Sequence, residues 1–398
     1  MGDVAEARGE GTALQGSLLA MLSTLAVAAA LLIAPVLPRI VAAFPHDPNA
    51  EAKVLLALSI PALVVAISAP FVGRVADTFG RKRVLLISLG LYLVSGVAPF
   101  FLDSLEHIIL SRLGVGLAEA GIMTSSTALI GDYFKGPRRE HWIVVQTAIA
   151  SIASVMFAVI SGALGEFGWR APFLVYAMPV IYIPLVLALI REPAQIETQH
   201  SAATRFPWSK VAALYAIGFP AAALFFVVPI QTPFLLTERE MASPQLIGLT
   251  SALGGVAVTI GGFLFKVISK TALHKILGLA FGLIALGLTL FVGNGEYLVT
   301  CIGIAVASIG CGMTLPAILT SIMGRLAFEE RGRGAGGWQT AFFMGNFLSP
   351  LLILTASALF NGLTGALYVA AGVAAFAALL CLGVFRFAPS PIAASVSS

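Results

Sequence analysis

The sequence predicts an all-α membrane protein of twelve transmembrane helices in two halves. Three observations lead there: a composition too poor in charge for a water-exposed surface, a one-sided distribution of Lys and Arg, and a polar break near the middle. Hydrophobic residues make up 59% of the chain and charged residues 11%, against about 25% charged in soluble domains. The mean hydropathy is +0.98. A helical span takes about 20 apolar residues, so twelve spans take roughly 240, which 398 residues supply with short connections left over.

Charges punctuate the chain. Between them, helices are predicted near 14–38, 54–73, 84–102, 106–129, 142–165, 171–190, 211–236, 245–265, 276–293, 297–324, 334–359 and 364–385. Residues 334–385 carry no charge and are too long for one span; Asn361, Gly362 and Gly365 break them into two. With the N-terminus in the cytoplasm, eighteen of the 23 Lys and Arg fall in inner turns or termini. Only Arg39, Lys53, Arg170 and Arg239 fall outside, and Arg112 lies within a span. This bias predicts an even number of spans with both termini cytoplasmic, in a bacterial-type inner membrane. The acidic start (Asp3, Glu6, Glu10) is not the basic region of a cleaved signal. The longest polar connection, 191–210, divides the chain into an N-terminal bundle (1–190) and a C-terminal bundle (211–398). Paired halves with a site between them are a common transporter plan.

Other classes of function are disfavoured. Cys301, Cys311 and Cys381 are scattered in apolar runs, and the five His lie at loops and helix ends, so neither a metal site nor a catalytic constellation is expected. No GxxxxGK[ST] element occurs, so ATP is not expected to drive the protein. No cofactor and no nucleic-acid partner is expected, because the basic residues form no single patch.

The turn between the second and third spans reads Gly73-Arg-Val-Ala-Asp77-Thr-Phe-Gly80-Arg81-Lys82-Arg83. Gly73 and Gly80 suit a tight turn and close helix approach. Asp77 suits pairing with Arg81 or capping a helix N-terminus, and Asp132, at the inner end of the fourth span, is placed to join the same cluster. This segment resembles the signature of the major facilitator superfamily, G-x-x-x-D-x-x-G-R-K/R-R/K. Arg112-Leu-Gly-Val-Gly116 and Gly168-Trp169-Arg170-Ala171-Pro172-Phe173 resemble two further elements of that family. The resemblance implies two pseudo-symmetric six-helix bundles, alternating access and a monomer. It also implies that Gly73, Asp77, Gly80, Arg81 and Asp132 gate the cytoplasmic side, Asp77 meeting the start of the eleventh span.

An ionisable residue inside a span is expensive and marks function by default. Only Arg112 and Glu119 qualify, both on the fourth span. Seven residues is about two turns, so they share a face, with Cα atoms about 10 Å apart. Burial opposes the charged carboxylate and a nearby Arg favours it. Glu119 is therefore the expected proton carrier, and Arg112 its electrostatic partner or an anion contact; a purely structural ion pair is the other reading. Among polar and aromatic residues, Gln231, Thr232, Gln339, Asn346, Phe342 and Pro35 are expected to line the substrate cavity. One acid, one Arg, some amides and several Phe suit an amphipathic solute. Pro35-Val-Leu-Pro38 resembles the proline element of the drug–proton antiporter branch. Proton-coupled export of small amphipathic molecules is the leading expectation. The fifth span departs from that branch: Phe157–Gly162 lacks its Gly-Pro pair. Uptake of a metabolite (organic acid, sugar or siderophore) by symport or uniport, and lipid transport, are the alternatives.

Overall fold

A hydrocarbon environment offers backbone N–H and C=O groups no partner, so a chain this apolar must satisfy them within helices. The computed structural model describes residues 11–192, 206–240, 243–293, 295–327 and 330–383. Among them there is no strand, and twelve helices are long and apolar enough to cross a membrane. They are α1 (Ala13–Ala43), α2 (Ala50–Phe79), α3 (Arg81–Phe100), α4 (Leu105–Tyr133), α5 (Gly136–Gly165), α6 (Ala171–Leu189), α7 (Trp208–Glu238), α8 (Pro244–Ile268), α9 (Leu273–Val292), α10 (Tyr297–Arg325), α11 (Arg331–Leu359) and α12 (Leu363–Gly383). The chain separates into two compact units, Met1–Ser201 and Ala202–Ser398. Most of the expected central connection, residues 193–205, lies outside the described residues, as do both termini.

Every predicted span is present, and the differences lie at the ends. The second span continues to Phe79 rather than stopping near residue 73, and the fifth begins at Gly136 rather than near 142. Hydropathy marks where lipid ends, whereas helical hydrogen bonding continues until the backbone is interrupted. At α2 the interruption is Gly80, whose φ of +100° suits glycine alone. Asp77 therefore stands on a helix, four residues before Arg81, and not in an extended turn.

In the first unit α1 is broken. It comprises Ala13–Met21, Ser23–Leu31, a tight turn at Ala34–Val36 and Leu37–Ala43. Pro35 has no N–H, so the hydrogen bond it would give to the Leu31 carbonyl is missing at this break. The starts of α1, α3 and α5 and the ends of α2, α4 and α6 meet at one end of this unit. There Gly11 N–H donates to the Tyr133 carbonyl at 2.9 Å, and Lys82 Nζ donates to the Leu187 carbonyl at 3.1 Å. The opposite end is tied by ion pairs of Lys53 with Asp47 and Glu106, Arg170 with Asp103, and Arg39 with Glu166.

The second unit packs around α9 and α10, where Leu277, Phe281, Ile284, Ile304, Ala307 and Ile318 are wholly buried. A Cβ on Gly287 or Gly303 would overlap backbone of the facing helix. Small residues at such crossings allow close approach where lipid supplies no hydrophobic drive between helices. Arg239, at the end of α7, donates to the carbonyls of Val292 (2.6 Å) and Gly293 (3.3 Å) and so caps α9.

Candidate functional site

Among the described residues, Arg112 heads the largest fully buried side chains. It lies on α4, which also carries the wholly buried Val115 and Ala118. Arg112 makes no direct ion pair with Glu119. Arg112 Nη2 instead donates to the Ala29 carbonyl and to Tyr176 Oη, each at 2.9 Å. The guanidinium carbon lies 4.9 Å from the centre of the Tyr176 ring.

The reason is the break in α1. Ala29 is in the last turn of the Ser23–Leu31 segment, where carbonyls lose their helical donors. Arg112 and Tyr176 both serve Ala29, Tyr176 Oη donating to it at 2.9 Å, while Ser161 Oγ donates to Leu32 at 2.6 Å. One turn earlier, Tyr92 Oη donates to Leu25 at 2.6 Å. Helices α3, α4, α5 and the start of α6 thus each place a donor on one row of α1 carbonyls. The segment's C-terminus carries partial negative charge and the Tyr176 ring presents a negative face. Together they compensate a cation that has no carboxylate partner. Arg112 Nε and Nη1 have no hydrogen-bond partner.

Glu119 is 5% exposed. Among the described residues no hydrogen bond or ion pair reaches its carboxyl group. It is the one buried acid among them, and on its own helix it lies two turns from the two spare donors of Arg112.

At the basic end, Arg81 gathers the signature residues. Its guanidinium contacts Asp77 at 3.0 Å, forms an ion pair with Asp132 and donates to the Ala128 carbonyl at 3.3 Å. Gly73 does not act as the sequence suggested: a Cβ there would meet Thr124 Cγ2 at 3.5 Å, an ordinary contact, so close approach does not require glycine. Gly80 is required, by its φ and by its neighbour Glu192. That residue escaped sequence reasoning. Its Oε1 accepts from the Arg81 N–H at 2.6 Å and its Oε2 from the Lys82 N–H at 3.1 Å. The available signal was an acid at the head of the central connection.

In the second unit, Gln231 and Thr232 are buried on α7. The Thr232 hydroxyl donates to the Val228 carbonyl at 2.7 Å, so that donor is committed to its own helix. Phe342 packs against Phe225 and Phe226, with ring centres 5.8 and 5.2 Å apart. Gln339 is exposed and Asn346 half-buried, both on α11. Pro35 is buried within the break of α1. The structure therefore brings together Arg81 with Asp77 and Asp132, and Phe342 with the α7 aromatics, while the Arg112–Glu119 contact is not made.

The sequence profile of the Major Facilitator Superfamily matches residues 16–291. EfpA of Mycobacterium tuberculosis, named as an uncharacterised transporter of this type, is 27% identical over 61% of this chain. The match spans 51% of EfpA, so the chain covers about half of that relative. The multidrug efflux protein YfmO of Bacillus subtilis is 24% identical over 88% of each chain. The quinolone resistance protein NorA of Staphylococcus aureus is 26% identical over 78% of this chain and 82% of its own. Among solved structures, a bacterial homologue of the lysosomal transporter Spinster superposes with a TM-score of 0.78, at 17% identity over 95% of this chain and all of that one. A D-xylose–proton symporter gives 0.73, at 15% identity over 94% and 97%. With twelve membrane-length helices and a profile match over most of its length, the chain belongs to the major facilitator superfamily, a family of multi-pass membrane transporters and not of enzymes.

Proposed function

We propose that this transporter exports small amphipathic solutes in exchange for protons, with Glu119 as the proton carrier. The observation that carries the reading is the buried, unpartnered Glu119 on the same helix as Arg112. Arg112, with Nε and Nη1 unpaired, offers a carboxylate on the same helix a counter-ion. Such an arrangement lets one group hold and release a proton in turn. The printed names of YfmO and NorA, efflux and resistance proteins, support the export direction. Phe342, Gln231, Gln339, Asn346 and Pro35 are the proposed solute contacts, with Thr232 contributing through its helix because its hydroxyl is committed. Gly73, Asp77, Gly80, Arg81 and Asp132 form the proposed gate. The basic turns support placing that gate, and both termini, in the cytoplasm of an inner-membrane protein that works as a monomer.

The direction is tested in everted membrane vesicles with the amphipathic cation ethidium. An acid interior should drive ethidium accumulation, and nigericin, which collapses the pH gradient, should abolish it. Accumulation that survives nigericin contradicts proton coupling. One observation favours uptake as a second reading: Phe157–Gly162 in α5 lacks the Gly-Pro pair of the antiporter branch. Uptake predicts net ethidium movement with the opposite sign under the same gradient.

A further inference from the structure

The start of α3 poses an electrostatic problem. Arg81, Lys82 and Arg83 fill its first turn, at the helix end where the macrodipole favours anions and disfavours cations. The first N–H groups of a helix also lack intrahelical partners. The N-cap residue is Gly80, which has no side chain to supply an acceptor. The missing anion comes from 111 residues further along: both carboxylate oxygens of Glu192 accept from the first backbone N–H groups, Arg81 at 2.6 Å and Lys82 at 3.1 Å. A Cβ on Gly80 would lie 2.9 Å from the Glu192 carboxyl carbon, so glycine makes room for the acid as well as for the turn.

Glu192 is itself anchored. Arg191 N–H donates to Tyr133 Oη at 2.8 Å, and Tyr133 Oη donates to the Arg191 carbonyl at 2.5 Å. Lys82 Nζ reaches back to Leu187 at the end of α6. Arg81 is thereby held twice, its backbone by the strap that leaves α6 and its guanidinium by Asp77 of α2 and Asp132 of α4.

We propose that Glu192 is a positioning residue of the gate: its carboxylate closes the N-terminus of α3 and fixes the Gly80 turn, so that Arg81 meets Asp77 and Asp132 in one geometry. Because Glu192 lies three residues beyond the end of α6 at Leu189, it also makes that end move with the gate. The inference rests on the gating reading of Asp77 and Arg81.

The test uses the full-length protein with its three native cysteines replaced and a reporter at Ala76→Cys, a position 2% exposed beside the gate. The rate of labelling by a membrane-impermeant maleimide in everted vesicles reports how often the gate opens. Asp77→Asn should raise that rate several-fold. Glu192→Ala should raise it similarly, Glu192→Asp should restore it, and Glu192→Gln, which keeps one acceptor oxygen but no charge, should fall between. In ethidium export, Glu192→Ala should lower the maximal rate and leave the apparent affinity unchanged, a split that general loosening of the fold would not produce. If Glu192→Ala does not accumulate in the membrane, Tyr133→Phe, which removes the anchoring hydroxyl and keeps the acid, should move labelling in the same direction. Raised labelling in Asp77→Asn with parental rates in the Glu192 variants overturns the inference and leaves the gate standing. Parental rates in both overturn the gating reading and the inference with it.

Discussion

A buried guanidinium normally points to a carboxylate nearby, and Arg112 shows why that expectation fails in a broken helix. Its counter-charge is a helix C-terminus, delivered through the Ala29 carbonyl and the Tyr176 hydroxyl. In the proposed mechanism Arg112 has a structural duty towards α1, and Glu119 is the group assigned to carry the proton. Replacing Arg112 by Ala should cost about 2–3 kcal/mol, the scale of hydrogen bonds to a charged group. Lys should recover part of that, keeping the charge but losing the planar fork. Ser161→Ala removes one neutral bond to Leu32 and should cost about 1 kcal/mol. Thermal unfolding midpoints in detergent check the order. Equal stability of Arg112→Ala and the parent would contradict the capping role.

At the scale of elements, each unit locks its first helix to its fifth through a glycine under a tryptophan. A Cβ on Gly16 of α1 would overlap the Trp142 ring of α5, and a Cβ on Gly218 of α7 would overlap the Trp338 ring of α11. The same pairing in both units is an internal repeat carried by packing. Gly16→Ala and Gly218→Ala should each destabilise by about 1–3 kcal/mol, the usual cost of overfilling a packed site, and thermal unfolding in detergent reads this directly. Near-parental stability in both would show that the rings move aside freely.

The spans themselves were legible in the sequence because lipid punishes every misplaced charge, so the charges mark the turns. Arg112 and Glu119 stood out for the same reason. The Arg112 acceptor did not, because it is a backbone carbonyl and carries no side-chain signature. Glu192 and the glycine–tryptophan locks were hidden differently: their partners lie more than a hundred residues away, and no local pattern couples them. The ends of α2 and α5 were misplaced because hydropathy stops at the membrane surface and the helical backbone does not.

For the molecule as a whole, the two units differ in chemistry. Among the described residues, the buried charges belong to the first, while the second offers amides and the aromatic group of Phe225, Phe226 and Phe342. Energy coupling is therefore proposed for the first unit, and solute contact in good part for the second. The central claim is that transport is driven by a proton carried on Glu119. Its most direct test is solute-elicited proton flux in proteoliposomes loaded with a pH-sensitive dye, comparing the parent with Glu119→Gln. Ethidium should elicit a pH change in the parent and none in Glu119→Gln, which should still insert, fold and bind ethidium. A full pH response in Glu119→Gln would contradict the account.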